Sequence, residues 1–455
     1  MSSEILLTQK DTSKIPFLSK LYIWSVQLHP LLFFYIAHEG VIGIGGNISK
    51  ILEFIVSCLV ALSILFFHRK SFIVSFKGTG IYWIFILYSI IVGVFGFLFG
   101  YYHLDGIFFT QSQTFFTLEY VRPITEYIIA IFYFFYFVVL ASYFLSNDKI
   151  INYFFKVFFF LFYANLAIGL IDVVSTVYFN FDLVPISLIR DTGSSFRFHG
   201  LAGEPRDAFV YLIFGIAMIY LFDEWKMQKK RRFFLFSLIL ITLTLTVSVS
   251  GLLGLFLSIG LILLYQLRHL NLKKLFIIFL IFIFLGFVVY LNYISFSRIG
   301  KYMNMLPFLF DGLMSLGDIP DIFLGQLPNI YPIFHRFLEI SDGNVLSTIF
   351  GTGYGSESVL NINMIKSDDF SLYPHAQIIR VLYSSGIVGL LIFVMAFYYP
   401  VAHITKFTNN KIWIYLILII IGTTLSHRSV TLFIYFGIFL VVFKQLSEKN
   451  NVSKK

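Results

Sequence analysis

The 455-residue chain holds a single cysteine, Cys58, so it can form no internal disulfide and no cysteine metal site. Charge is scarce as well: Asp, Glu, Lys and Arg make up 13% of the residues, against 58% hydrophobic, and the mean hydropathy is +0.86. That balance lies far outside the soluble range and reads as a polytopic membrane protein. No cleavable signal is expected, because the first roughly twenty residues are polar and no small-residue cleavage pattern follows the first apolar run, around Leu21 to Ala37. There is no internal repeat and no low-complexity linker, which weighs against an inverted-repeat transporter. No His, Asp and Glu group has metal-ligand spacing, so no tightly bound metal is expected. The stretch Gly351-Thr352-Gly353-Tyr354-Gly355 has neither the preceding strand nor the following lysine of a phosphate loop, and is read as a turn that needs glycine.

What the chain has in abundance is apolar sequence. Runs long enough to cross about 30 Å of hydrocarbon begin near Leu21, Ile51, Ile81, Ile124, Ile150, Ala208, Phe233, Gly251, Leu275, Gln377, Ile412 and Thr431. Unbroken apolar runs without alternation exclude a barrel, so the expected fold is all-α, with about twelve transmembrane helices in one membrane domain over residues 1–455. The 58 Phe and 28 Tyr suit lipid-facing surfaces and interfacial belts, and no single aromatic carries functional weight.

Basic residues set the orientation. With both termini cytoplasmic, most of the 33 Lys and Arg fall inside, among them Lys10, Lys14, Lys20, Lys149, Lys156, the KMQKKRR run at Lys226 to Arg232 and the tail from Lys444. The net charge of +9 is therefore a topology signal, and nucleic-acid binding drops out. The inside set is mainly lysine. The outside set is mainly arginine: Arg122, Arg190, Arg197, Arg206, Arg298, Arg336, Arg380 and Arg428. Arginine's planar fork suits two-point grips on phosphate and carboxylate, so the outer face is expected to carry local anion sites. Its two large loops run over about 180–207 and 293–375, the second long enough to fold back as a cap.

The first loop ends in RDTGSSFRFHGLAGEPRD, Arg190 to Asp207, which gathers Arg190, Arg197, His199, Glu204 and Arg206 beside an apolar segment. Glu204-Pro205-Arg206-Asp207 reads as a helix start, with proline at the first helical position. The positive end of that helix, next to Arg197 and Arg206, suits a pyrophosphate. The same charges could instead pair with Asp191, Glu204 and Asp207 simply to brace the loop. A second group is Tyr373-Pro374-His375-Ala376-Gln377, opening the helix QIIRVLYSSGIVGLL, with Arg380 about one turn deeper, where a cation needs a partner. His375 could be no more than a polar cap. Asp172 and Glu126 are intramembrane acids: Glu126 is placed to pair with Arg122 four residues away, and Asp172 to partner an external arginine.

At these residues the chain resembles the O-antigen polymerase and O-antigen ligase superfamily, inner-membrane glycosyltransferases that act on sugars carried by undecaprenyl pyrophosphate. The likeness is carried by Arg197-Phe198-His199-Gly200 running into Gly203-Glu204-Pro205 and an inward helix, by the glycine turn at Gly351 to Gly355, and by Pro374-His375 leading through Arg380 to Gly386-Ile387-Val388-Gly389. It covers about Asp191 to Leu391 and departs from the family at Ala376, where members often have asparagine. At Thr246-Val247-Ser248-Val249-Ser250 the chain also lacks the arginine typical of ligases, which favours a polymerase.

The resemblance implies that a sugar hydroxyl on one lipid-linked oligosaccharide attacks the anomeric carbon of another, expelling lipid pyrophosphate, with inversion in one step. It implies no nucleotide, no metal and no other cofactor, since the donor arrives activated. A cationic cradle and a base are then required. Arg197, Arg206 and Arg380 are assigned to the cradle, with Arg190 and Arg336 as helpers, and Glu204 or His375 to the base. The implied location is the bacterial inner membrane with the active face toward the periplasm, and the implied protein partner is a chain-length regulator. Two rivals stay open: a ligase that transfers finished polymer to lipid A core, and a flippase for lipid-linked oligosaccharide, which would need more mid-helix charge.

Overall fold

The computed structural model describes residues 15–31, 35–36, 46–66, 80–98, 121–145, 147–179, 181, 183, 197–202, 205–223, 229–246, 248–266, 345–353, 376–405, 411–425, 433–439 and 441. Among them the protein is all-helical apart from one pair of two-residue strands. The helices begin close to where the apolar runs begin; the run near Leu275 lies outside the described residues. The chain divides into two compact units, each assembled from separated segments.

The first unit comprises Met1–Val74, Phe135–Thr246 and Gly437–Lys455. It contains α1 (Phe17–Leu28), the strands β1 (Tyr35–Ile36) and β2 (Gly46–Asn47), and α2 (Ile48–Phe66). The strands pair antiparallel, Tyr35 opposite Asn47. A π-helical turn over Phe135–Val139 leads into α5 (Leu140–Phe144), followed by α6 (Asp148–Phe179), a 3-10 turn at Gly200–Ala202, α7 (Pro205–Asp223) and α8 (Lys229–Thr246). Helix α6 starts where Asn147 Oδ1 accepts from the Ile150 amide at 2.9 Å, an N-cap that satisfies one of the amides a helix start leaves open.

Its aromatic residues recur every three or four positions and fill the core: the Phe158 ring lies 5.4 Å from Phe162 and 5.6 Å from Phe214, and Phe162 lies 5.7 Å from Tyr211. At the π turn, polar contacts join the aromatic ones. Tyr22 donates to Tyr136 O at 3.0 Å, and the Ser25 and Tyr136 hydroxyls are 2.6 Å apart. Helices α1 and α2 are joined by His29 Nδ1 and Glu53 Oε1 at 2.5 Å, with Glu53 buried. Nothing in the sequence joins the two. The partner accounts for an acid on an otherwise apolar helix, since a buried carboxylate without one is strongly destabilising.

The second unit comprises Ser75–Phe134 and Val247–Phe436. It holds α3 (Gly80–Leu98), α4 (Val121–Phe134), α9 (Val249–Gln266), the short α10 (Val345–Phe350), α11 (Gln377–Thr405) and α12 (Lys411–Leu425). Tyr82 stacks on Phe134 at 4.0 Å, with the Phe433 ring 5.3 Å away, and Phe85 meets Phe393 at 5.0 Å. Helices α9 and α12 pack closely because Gly422 leaves room for Ser258, whose hydroxyl donates to Ile419 O at 3.0 Å.

Among the described residues two helices are long and apolar enough to cross a membrane, Asp148–Phe179 and Gln377–Pro400, and shorter apolar helices include Gly80–Gly96 and Ile414–Leu425. In the most apolar 18-residue stretch of each, only 50% and 39% is buried, whereas the core helix of a soluble protein is mostly covered. On α3 the exposed large apolar residues are Trp83, Ile84, Leu87, Ile90, Ile91, Val94, Phe95 and Leu98, one apolar face at helical spacing. Apolar surface of that extent is what lipid covers.

Candidate functional site

The Arg-Phe-His-Gly segment is fastened residue by residue to the helices around it. Arg197 Nε donates to Thr246 O at 3.1 Å, and the Phe198 amide donates to Leu245 O at 2.9 Å. These carbonyls belong to the last turn of α8, where helix geometry leaves acceptors without intrahelical donors. The Leu201 amide donates to Asn165 Oδ1 of α6 at 2.7 Å. Gly200 takes φ +51°, and a Cβ there would lie 2.5 Å from Asn165 Oδ1, so glycine is required on both counts. Gly169 of α6 supplies the room: a Cβ on it would come 2.6 Å from Phe198 Cε2 and 2.7 Å from Gly200 Cα.

His199 and Asp172 complete the arrangement. His199 Nε2 lies 3.1 Å from Asp172 Oδ2, with the two side chains only 4% exposed. His199 Nδ1 lies 3.0 Å from Gly200 O. Both ring nitrogens therefore face oxygen, so the ring donates at Nδ1 and one proton is held between Nε2 and the carboxylate. Asp172 thus pairs with His199, a partner the sequence did not point to. Both residues stand out in the sequence but their pairing does not, although Asn165, Gly169 and Asp172 recur at helical spacing on one face of α6.

Helix α7 begins at Pro205, with Asp207 in its first turn, as the motif predicts. Arg206 is half-buried there, with its Nε and Nη2 atoms out of contact with solvent. Of the assigned residues, Arg197 and Arg206 belong to the first unit and Arg380 to the second. Arg190, Glu204, Arg336 and His375 lie outside the described residues, as do the side chains of Arg122 and Glu126.

In the second unit, the two glycine motifs quoted separately from the sequence fit into one another. Helix α11 breaks at Gly386, with φ 64° and ψ −171°. The turn after α10 docks on that break, with Gly351 at φ 87° and Gly353 at φ 110°. The Thr352 and Gly353 amides both donate to Ser384 O, at 3.2 and 2.7 Å. Tyr88 of α3 donates to Phe350 O at 2.9 Å and to Ser385 O at 3.2 Å, covering carbonyls at the break. Arg380 sits in the half-helix before the break, half-buried, and its carbonyl accepts from Ser384 Oγ at 2.7 Å. Reading Gly351 to Gly353 as a turn that needs glycine is correct, and Gly386 is the reason that turn has somewhere to dock.

The docking of the first segment has a direct test. Gly169→Ala is expected to lift Phe198 and Gly200 off α6, because the Gly200 backbone has no soft way to give. The measurement is amide exchange at Phe198 and Leu201, which should quicken in the variant while the amides of α6 stay protected.

No protein-family model matches the chain, and none of the curated proteins compared with it does.

Proposed function

We propose that the protein is a polymerase of the O-antigen type, joining oligosaccharide repeat units carried on undecaprenyl pyrophosphate at the periplasmic face of a bacterial inner membrane. The observation that carries the reading is the fastening of Arg197 to the end of α8, with Arg206 in the first turn of α7. An arginine whose Nε and whose neighbour's amide are both held keeps its planar fork aimed with little entropy left to lose. Oxygens of a departing diphosphate are the anion for which such a fork is shaped.

The sidedness is supported by α8. Its start carries exposed Lys229, Lys230 and Arg231, and its last two residues hold Phe198 and Arg197. At 1.5 Å per residue its 18 residues rise about 27 Å, close to the roughly 30 Å of hydrocarbon. Basic residues mark the cytoplasmic end, so the arginine segment belongs to the outer leaflet. The proposed topology has about twelve spans with both termini cytoplasmic.

In the proposed reaction a hydroxyl of the acceptor sugar attacks the anomeric carbon of the donor. The new glycosidic bond forms as the bond from that carbon to the lipid pyrophosphate breaks. The hydroxyl proton passes to a base, Glu204 or His375, and the negative charge gathering on the leaving diphosphate is met by Arg197 and Arg206.

Deleting the protein from its host and resolving surface polysaccharide on a gel tests this reading. The expected result is loss of the ladder with a core-plus-one-repeat band retained. Polymer accumulating on its lipid carrier would instead identify a ligase, and failure to export any repeat unit a flippase.

A further inference from the structure

We propose that Asp172 is a positioning residue, which holds the arginine-bearing segment in register through His199; its catalytic consequence rests on the polymerase reading. One carboxylate grips two separated points of the chain. Oδ2 meets His199 Nε2 at 3.1 Å, and Oδ1 accepts from the Leu183 amide at 2.7 Å. The carboxylate's own turn is braced in addition, since Ser175 Oγ bonds to Asp172 O at 2.9 Å and to Phe181 O at 2.8 Å.

Stability alone does not call for such a pair. A buried carboxylate and imidazole are costly to desolvate, and an apolar pair of similar volume often holds a fold as well or better. What the polar pair adds is a fixed distance and direction. His199 is two residues from Arg197, and the segment between them has no helix or strand of its own to set its register. Asp172, Asn165 and the Leu245 and Thr246 carbonyls supply that register from outside. Asp172 and His199 are both buried. Their influence on the reaction passes through Arg197.

Two substitutions separate positioning by hydrogen bonds from mere filling of space. Asp172→Asn keeps the contacts, with Oδ1 accepting from Leu183 and Nδ2 donating to His199 Nε2. Asp172→Leu has similar volume and makes neither. The assay is polymerisation in proteoliposomes with a synthetic undecaprenyl-pyrophosphate-linked repeat unit, with rates normalised to folded protein. For Asp172→Leu, kcat is expected to fall at least about tenfold with KM within about twofold, because the displaced arginine acts on charge that develops only in the transition state. Asp172→Asn is expected to recover most of that loss. In parallel, amides of Phe198 and Leu201 should exchange faster in Asp172→Leu and not in Asp172→Asn.

Equal activity in the leucine and asparagine variants would overturn the proposal, as would a leucine variant with unchanged kcat. Should Asp172→Leu not fold, His199→Gln against His199→Leu repeats the comparison, since the glutamine amide can donate to Asp172. If the unaltered protein forms no polymer, the polymerase reading fails by itself, and the exchange measurement still decides the positioning claim: unchanged exchange in the leucine variant contradicts it.

Discussion

Arg197→Ala is expected to leave cells with a core-plus-one-repeat band and no polysaccharide ladder, while the variant inserts and accumulates as the unaltered protein does. The side chain is half-buried and donates to Thr246 O at a helix end, so truncation removes little core volume. Phe198 N, His199 and Leu201 N keep the segment docked without it. The loss therefore falls on chemistry. Removing one donor aimed at developing negative charge costs about 2.7–4 kcal/mol, or roughly 10²–10³ in rate, enough to erase a ladder built by many successive transfers. Arg197→Lys retains the charge and forfeits the fork and the Nε contact, so a short, faint ladder is expected. A gel of surface polysaccharide beside an immunoblot of the membrane fraction checks both.

Gly386→Ala is expected to have the largest effect on folding. At φ 64° a side chain is strained wherever it points. Here a Cβ would also lie 2.5 Å from Gly351 N and from Ile349 C. The relation is reciprocal: a Cβ on Gly351, itself at φ 87°, would lie 2.6 Å from Gly386 N. Each backbone occupies the space the other's missing side chain vacates, so neither can move aside alone. A destabilisation of about 3 kcal/mol or more is expected, read as loss of the monodisperse peak in detergent and a lowered melting temperature. Gly260→Ala in α9 is the control. A Cβ there meets nothing within 4 Å, and in a helix the change should be neutral or stabilising by about 0.5–1 kcal/mol.

The parts legible in the sequence and the parts that were not differ for a physical reason. Helix positions follow from apolar runs, because in lipid a backbone has few other ways to satisfy its polar groups. The starts at Pro205 and Gln377 follow from local rules, since a helix end is decided within a few residues. The glycine-rich turn was legible as a turn, yet its docking on Gly386 was not, because that depends on two segments more than thirty residues apart choosing one another. Asp172 illustrates the same limit. Its burial in an apolar run marked it as needing a partner, and several cations were available. What selected His199 was the space left by Gly169 and the handhold of Asn165, one and two helical turns earlier on the same face of α6. The His29 and Glu53 pair left no mark in the sequence beyond an acid in an apolar helix, since its halves lie on different helices.

The central claim is that Arg197 stabilises the diphosphate of a lipid-linked sugar as it departs. Its most direct measurement is the release of undecaprenyl pyrophosphate in proteoliposomes supplied only with synthetic lipid-linked repeat units. The unaltered protein should release one lipid pyrophosphate for each glycosidic bond formed, and Arg197→Ala should slow both by roughly 10²–10³ in step. Release at an equal rate from Arg197→Ala, or polymer formed without release, would contradict the account.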